Sequence, residues 1–131
     1  KALTAVREHF TGKLICVVGC GGNRDAGKRP QMAALAEKLA DAIVITSDNP
    51  RNEAPQDIVA DMMGGIKDGN ALTVQVDRRL AIEAAVAQAG IDDVVLIAGK
   101  GHETWQESAG KKLPFDDRLV AAHALQQRGA A

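Results

Sequence analysis

Three short polar stretches carry the side chains that could bind a small molecule: residues 19–29 (GCGGNRDAGKR), 48–51 (DNPR) and 99–103 (GKGHE). Arg24 and Arg51 are suited to carboxylates, because a guanidinium fork donates two parallel hydrogen bonds to a carboxylate. Asp48 and Glu103 are suited to an ammonium group. Two cations and two carboxylates together predict a zwitterionic ligand such as an amino acid, and the side-chain chemistry alone predicts nothing finer.

The first stretch matches most of a phosphate-binding loop. Residues 22–28 (GNRDAGK) fit G-x-x-x-x-G-K, but the next position is Arg29 where a magnesium-binding Ser or Thr is required. Two other interpretations stay open: a glycine-rich turn with exposed cations, or a helix N-terminus that presents Arg24, Lys28 and Arg29 to an anion. We therefore treat Lys28 and Arg29, with Lys100 and His102 of the third stretch, as candidate anion contacts.

The other two stretches each have a plain alternative. Pro50 restricts Asn49 to extended conformations and stiffens the second stretch, but an ordinary turn in which Asp48 or Asn49 bonds the local backbone fits equally well. In the third stretch, glycines let a ligand approach the backbone, and a tight turn with solvated charges is the alternative. No nucleophile neighbours His102, so we assign no catalytic residue, and the three histidines show no metal-ligand spacing.

The elements that must position these stretches alternate along the chain. Apolar runs predict strands, at 14–18, 42–46, 72–76 and 94–98, and helical patterns fall at 2–10, 30–40, 55–66, 78–89 and 117–128. Asp77 and Asp116 are predicted helix caps, and residues 104–115 predict a β-hairpin at a sheet edge. Alternating strands and helices indicate an α/β, Rossmann-like fold with a mostly parallel sheet and helices on both faces. Ligands bind such sheets at the carboxyl ends of the strands, where all three polar stretches begin.

Composition excludes several classes of function. The chain has 131 residues, 16 basic against 17 acidic, and only 2% aromatics, so neither a nucleic-acid binder nor a base-stacking platform is expected. No apolar run approaches the ~18 residues of a membrane span, and no signal-peptide pattern opens the chain. Cys16 and Cys20 do not form a disulfide framework, which favours buried thiols in a reducing cytoplasm.

Taken in order, these stretches resemble the C-terminal domain of the Mur ligases, in particular of the members that add diaminopimelate. The resemblance covers nearly all of residues 1–131: GCGGNRDAGKRP after the first strand, DNPR at 48–51, GKGHE at 99–103, and the closing hairpin followed by DDR at 116–118. It implies a cytoplasmic ligase of peptidoglycan precursor synthesis that uses ATP and Mg²⁺ to join meso-diaminopimelate to UDP-MurNAc-L-Ala-D-Glu.

The resemblance also implies a role for each site residue. Arg24 and Arg51 would grip the carboxylate at the D-configured end of meso-diaminopimelate, with Asp48, Asn49 and the intervening Pro50 fixing the same end. The ammonium of that end would be held by the Gly99 carbonyl and by Glu103. Since L-lysine has no carboxylate there, Arg51 would set specificity, because a buried guanidinium without its partner is costly.

The resemblance implies that parts of the enzyme lie outside this sequence. The UDP-binding domain and the central ATPase domain, which would hold ATP and Mg²⁺, are not in it, and the family's entry segment would end just before Lys1. We expect this chain to bind the amino acid without catalysing the reaction alone. The alternative is a stand-alone nucleotide- or anion-binding α/β module. A response-regulator-type interaction domain is disfavoured, because it needs an acidic cluster at the strand ends.

Overall fold

The computed structural model describes residues 12–20, 27–50, 52–69, 71–90, 92–98, 105–108, 111–114 and 116–130, with the backbone alone in 105–108, 111–114 and 127–130. The described residues form six strands and four helices, with these bounds: β1 Leu14–Cys20, α1 Lys28–Leu39, β2 Ala42–Ser47, α2 Pro55–Met63, β3 Leu72–Val74, α3 Arg78–Gln88, β4 Val94–Ala98, β5 Trp105–Ser108, β6 Lys111–Pro114 and α4 Asp117–Ala130.

The four strands β1 to β4 form one parallel sheet in the order β3-β2-β1-β4. The central strand β1 is buried along its whole length, which is what a continuous apolar run predicts for a strand covered on both faces. Strand β4 is only half-buried, since it lies at the edge of the sheet in the described part of the chain. The predicted α/β class with a mostly parallel sheet is confirmed.

Side chains of β1 point alternately to two separate cores. Ile15 and Val17 pack with α3 and α4 on one face of the sheet, whereas Cys16, Val18 and Cys20 pack with α1 and α2 on the other. The period of two along a strand produces this division. The doubly covered sheet is therefore a consequence of one apolar strand that serves two layers of helices.

Most predicted boundaries hold within a few residues, and the differences have local causes. Helix α1 begins two residues before Pro30, which is tolerated because the first-turn N–H groups have no partner within the helix. Helix α2 ends at Met63 rather than 66, because the chain turns at Gly64 and Gly65. Strand β3 ends at Val74 rather than 76.

The predicted helix caps and the predicted hairpin are present in the structure. Asp77 caps α3 by accepting the Leu80 N–H at 3.1 Å, and Asp116 accepts the Arg118 N–H at 2.9 Å at the start of α4. Strands β5 and β6 form the predicted antiparallel hairpin. It is a two-stranded sheet of its own among the described strands, rather than an addition to the edge of the parallel sheet. The predicted helix at 2–10 falls outside the described residues.

Candidate functional site

The carboxyl ends of β1, β2 and β4 meet at one edge of the sheet. Cys20 at the end of β1 is paired with Ser47 at the end of β2, and Val18 is paired with Ala98 at the end of β4. Strand β2 lies on one side of β1 and strand β4 lies on the other. The order of strands along the sheet therefore changes direction at β1. This is the position at which open α/β sheets form their ligand crevice.

The three residues that directly follow β2, at 48–50, are buried. Asp48 is 8% exposed, Asn49 is 2% exposed, and Pro50 is among the fully buried side chains. Close strand packing begins just before it, because a Cβ at Gly19 would lie 2.9 Å from the Ser47 carbonyl carbon. Buried polar groups in proteins are normally hydrogen-bonded, so the surrounding protein holds this segment in place.

The last two residues of β2 are fixed through their hydroxyl groups. Thr46 and Ser47 both donate to the Val76 carbonyl oxygen, at 3.3 and 2.9 Å. That carbonyl accepts hydroxyl groups, and it lies two residues beyond Val74, where β3 ends. The bonds tie the entry to Asp48 to the segment that leads into α3.

A buried arginine joins this strand end to two other elements. The Arg78 guanidinium forms a two-point pair with Asp117, with Nε 2.8 Å from Oδ1 and Nη2 2.6 Å from Oδ2. Its Nη1 donates to the Ser47 carbonyl oxygen at 3.0 Å, and Nη2 also donates to the Ala98 carbonyl oxygen at 3.3 Å. The side chain has no exposed surface, so these partners replace water around the charge.

Arg29 is not the exposed cation that the sequence predicts. Its side chain is 3% exposed and pairs with Glu53 at 2.7 Å and Asp61 at 2.8 Å. The hydrogen bond to Glu53 is the largest of the effects that raise the pKa of Arg29. Two carboxylates pair with the guanidinium, so Arg29 links the start of α1 to the segment after Asn49 and to α2.

The same contacts disfavour a phosphate-binding loop. Lys28 is exposed at the first position of α1, but the residue after it, where such a loop places a magnesium-binding hydroxyl, points into α2 and pairs with Asp61. In the part of the chain that the structure describes, no group of three or more His, Cys, Asp or Glu side chains could hold a metal ion.

The two cysteines are buried and poorly suited to reaction. Burial raises the pKa of Cys16 to about 11. Burial also raises the pKa of Cys20, while the charge of Arg29 lowers it and the charge of Asp48 raises it. Cys20 Sγ lies 3.6 Å from Met32 Sδ. Both thiols are therefore protonated at neutral pH, and Cys20 lies close enough to Asp48 and Arg29 to respond to their charges.

Comparison with known proteins identifies the family. Residues 1–101 match the model of the Mur ligase, glutamate ligase domain. The chain belongs to the Mur ligase family. It is 58% identical over 125 residues to the UDP-N-acetylmuramoyl-L-alanyl-D-glutamate–2,6-diaminopimelate ligase of Coxiella burnetii and 56% identical over 128 residues to that of Xanthomonas campestris. These alignments cover 95% and 98% of this chain and 26% of each relative.

A solved structure gives the same assignment. The chain superposes on a UDP-N-acetylmuramoyl-L-alanyl-D-glutamate–2,6-diaminopimelate ligase with a TM-score of 0.93 at 43% identity, over 98% of this chain and 26% of that one. The chain thus spans about a quarter of the length of the relatives it matches. The sequence-based resemblance to the Mur ligases and to their fold is confirmed.

In this Mur ligase domain the structure describes part of the predicted site. It brings Asp48, Asn49 and Pro50 to the carboxyl edge of the sheet and places Lys28 on the surface. The other predicted contacts lie outside the described residues: Arg24, Arg51, Gly99, Lys100, His102 and Glu103. Within the described ranges, no helix is long and apolar enough to span a membrane.

Sequence reasoning missed the burial and the ion-pair partners of Arg29 and Arg78 in the Mur ligase domain. Arg78 and Asp117 are 39 residues apart in the chain, and Arg29 is 24 residues from Glu53 and 32 from Asp61. No short-range pattern connects partners at such distances. The available signal was positional: Arg78 directly follows the predicted cap Asp77, and Asp117 lies in the DDR segment noted for its resemblance to the family.

Proposed function

We propose that this domain binds meso-diaminopimelate for an ATP-dependent ligase that adds it to UDP-MurNAc-L-Ala-D-Glu in peptidoglycan precursor synthesis. The observation that carries the proposal is the sheet order, which starts DNPR and GKGHE from strand ends on either side of β1. The names of the Coxiella burnetii and Xanthomonas campestris relatives support the same amino acid and the same acceptor.

In this proposal the distal end of diaminopimelate is bound at the carboxyl edge of the sheet. Arg24 and Arg51 bind its carboxylate, while the Gly99 carbonyl and Glu103 bind its ammonium group. Asp48 and Asn49 orient the same end. The burial of the latter two supports this role, because a buried, fixed polar group discriminates between ligands better than a solvated one.

The reaction requires more than this domain. We propose that ATP phosphorylates the γ-carboxylate of the D-Glu residue, and that the amino group of diaminopimelate displaces phosphate from the acyl phosphate to form the amide. ATP and Mg²⁺ are then held mainly by the part of the ligase that this chain does not span. The contribution of this chain is to place the amine and to help exclude water from the acyl phosphate, which water would otherwise hydrolyse.

Phosphate release by the full-length ligase that contains this domain tests the proposal. The assay supplies ATP, Mg²⁺ and UDP-MurNAc-L-Ala-D-Glu, with meso-diaminopimelate or L-lysine in parallel. Release with diaminopimelate alone is expected. Equal release with lysine would contradict the role of the distal carboxylate, and no release with either amino acid would overturn the ligase proposal in favour of an anion-binding module.

The Arg51→Ala variant tests the specificity residue. We expect it to abolish the use of diaminopimelate, because the distal carboxylate loses its two-point partner. Arg118→Ala is the matched control, since the Arg118 side chain is 67% exposed and pairs only with Asp116 among the ion pairs of the described residues. Steady-state rates for both variants over a range of diaminopimelate concentrations measure the effect. Unchanged kinetics in Arg51→Ala would refute the assigned role.

A further inference from the structure

The ends of β2 and β4 are joined through one side chain. The Arg78 guanidinium donates to the carbonyl oxygens of Ser47 and Ala98, the last residues of these two strands. Strand β1 lies between them, so the guanidinium links the ends of two strands that are not adjacent in the sheet. Asp48 and Gly99 are the next residues along the chain from these two carbonyls.

The direction of the fork is set by a carboxylate from a third element. Asp117, the first residue of α4, is 6% exposed and accepts from Nε and Nη2 of Arg78. A two-point pair fixes the plane of the guanidinium as well as its position. With that plane fixed, Nη1 and Nη2 are directed at the two strand ends, and the loops after β2 and β4 start from defined points.

Stability alone does not require this arrangement. Replacing a buried ion pair by well-packed apolar side chains is often neutral or stabilising, because burial of both charges is costly. An apolar pair would fill the space between α3, α4 and the sheet, but it would donate no hydrogen bond to either strand end. The ion pair adds hydrogen bonds that fix the distance between the end of β2 and the end of β4.

We propose that Arg78, oriented by Asp117, is a positioning residue for the recognition of diaminopimelate. This inference rests on the proposed function, in which one strand end leads to Asp48 and Asn49 and the other to Gly99 and Glu103. The pair sets the separation between the groups that bind the distal carboxylate and those that bind the distal ammonium. Neither Arg78 nor Asp117 contacts the substrate in this assignment.

Two variants of the full-length ligase separate positioning from folding. Arg78→Lys keeps the charge but loses the fork, since an ammonium group cannot reproduce the planar donor set. The double variant Arg78→Met with Asp117→Leu removes both charges and retains apolar packing. Arg118→Lys is the matched control, because it makes the same chemical change at an exposed arginine that lies next to Asp117.

The decisive readout is which Michaelis constant changes. We expect both test variants to raise the KM for meso-diaminopimelate at least tenfold, with the KM values for ATP and UDP-MurNAc-L-Ala-D-Glu within twofold of wild type. The preference for diaminopimelate over L-lysine should fall as well. A purely structural role would lower kcat or the amount of folded enzyme without favouring one substrate. The double variant should keep a thermal midpoint within a few degrees of wild type.

The outcomes distinguish this inference from the proposed function. A folded double variant with an unchanged KM for diaminopimelate would overturn the positioning role while leaving the proposed function intact. Wild-type enzyme without diaminopimelate-dependent phosphate release would overturn the proposed function and this inference with it. An equal rise in all three KM values would also overturn the inference, because it would show general distortion of the enzyme.

Discussion

The buried side chains of Arg29 and Arg78 contact the end of β2 and the segment after it from opposite faces of the sheet. Arg29 lies on the face of α1 and α2, and its carboxylate partners Glu53 and Asp61 have side chains that are 34% and 46% exposed. Arg78 lies on the face of α3 and α4, and the side chain of its partner Asp117 is 9% exposed. The cations are equally buried, but only one of them has a buried counter-charge.

The difference indicates two kinds of anchor. Water reaches the carboxylates of Glu53 and Asp61, so part of the Arg29 interaction is screened and can be replaced by hydration. At Arg78 the other acceptors are strand-end carbonyls that have left water on folding, so loss of Asp117 leaves a charge with little compensation. The contacts of Arg29 hold a loop after β2. The contacts of Arg78 fix the ends of β2 and β4, from which two loops start.

Removing one carboxylate on each face tests this comparison most strongly. We expect Asp117→Ala to destabilise the chain by about 3–5 kcal/mol, because a buried guanidinium loses its two-point partner. Asp61→Ala should cost only about 1 kcal/mol, because the half-exposed carboxylate is screened and Glu53 still pairs with Arg29. Urea unfolding at pH 7 measures both values. Equal losses of stability would contradict the distinction between the two anchors.

Substitutions at Gly64 and Gly65 test the packing of α2 against the start of α1, which carries Arg29. A Cβ at Gly65 would lie 1.8 Å from the Pro30 carbonyl oxygen, so Gly65→Ala must displace the start of α1 that carries Arg29. We expect a loss of about 1–3 kcal/mol, as for other overpacked sites. Gly64→Ala is the matched control, because its nearest neighbour, the Asp61 carbonyl oxygen, is 3.2 Å away and Gly64 has helical φ and ψ.

Urea unfolding of both glycine variants checks this prediction, and Gly64→Ala should lie within ~0.5 kcal/mol of wild type. Comparable destabilisation by the two substitutions would mean that the contact between Gly65 and Pro30 does not determine where α1 begins.

The sequence was sufficient to predict the strands and helices of the fold, but not the buried ion pairs of Arg29 and Arg78. Continuous apolar runs predict β1 and β2 because a strand covered on both faces needs no polar side chain. The caps Asp77 and Asp116 are readable because each bonds a backbone N–H within three residues. Arg29 was interpreted as an exposed cation or an anion contact, since the sequence does not show which carboxylates pack against it. Its partners come from other elements and depend on packing.

The same reasoning explains which features of the site could be predicted from the sequence. The order of strands is a property of the whole sheet, but the rule that ligands bind at carboxyl ends needs only alternation, so the position of Asp48 and Asn49 was predictable. Their burial was not, because it depends on how the elements pack around the strand end, where β1 and β2 approach closely at Gly19 and two hydroxyl groups bond to Val76.

Another carboxylate anchor, the partly exposed Glu37, gives the smallest and most pH-dependent effect. Glu37 accepts the backbone N–H groups of Lys67, Asp68 and Gly69 at 2.8–3.0 Å, and these bonds lower its pKa below the ordinary value of 4.5. Since the folded pKa is lowered, the contribution of Glu37 to stability is complete above the ordinary pKa and is lost as the pH falls through the folded pKa.

Glu37→Gln should therefore be less stable than wild type at pH 7, by less than Asp117→Ala, and the difference should shrink as the pH falls below 4.5. Urea unfolding of both proteins between pH 7 and pH 3 measures this convergence. A difference that stayed constant over the whole range would contradict the role of the negative charge. Convergence would show that Glu37 stabilises the fold through its ionised carboxylate, which bonds backbone N–H groups where Asp117 instead bonds a buried guanidinium.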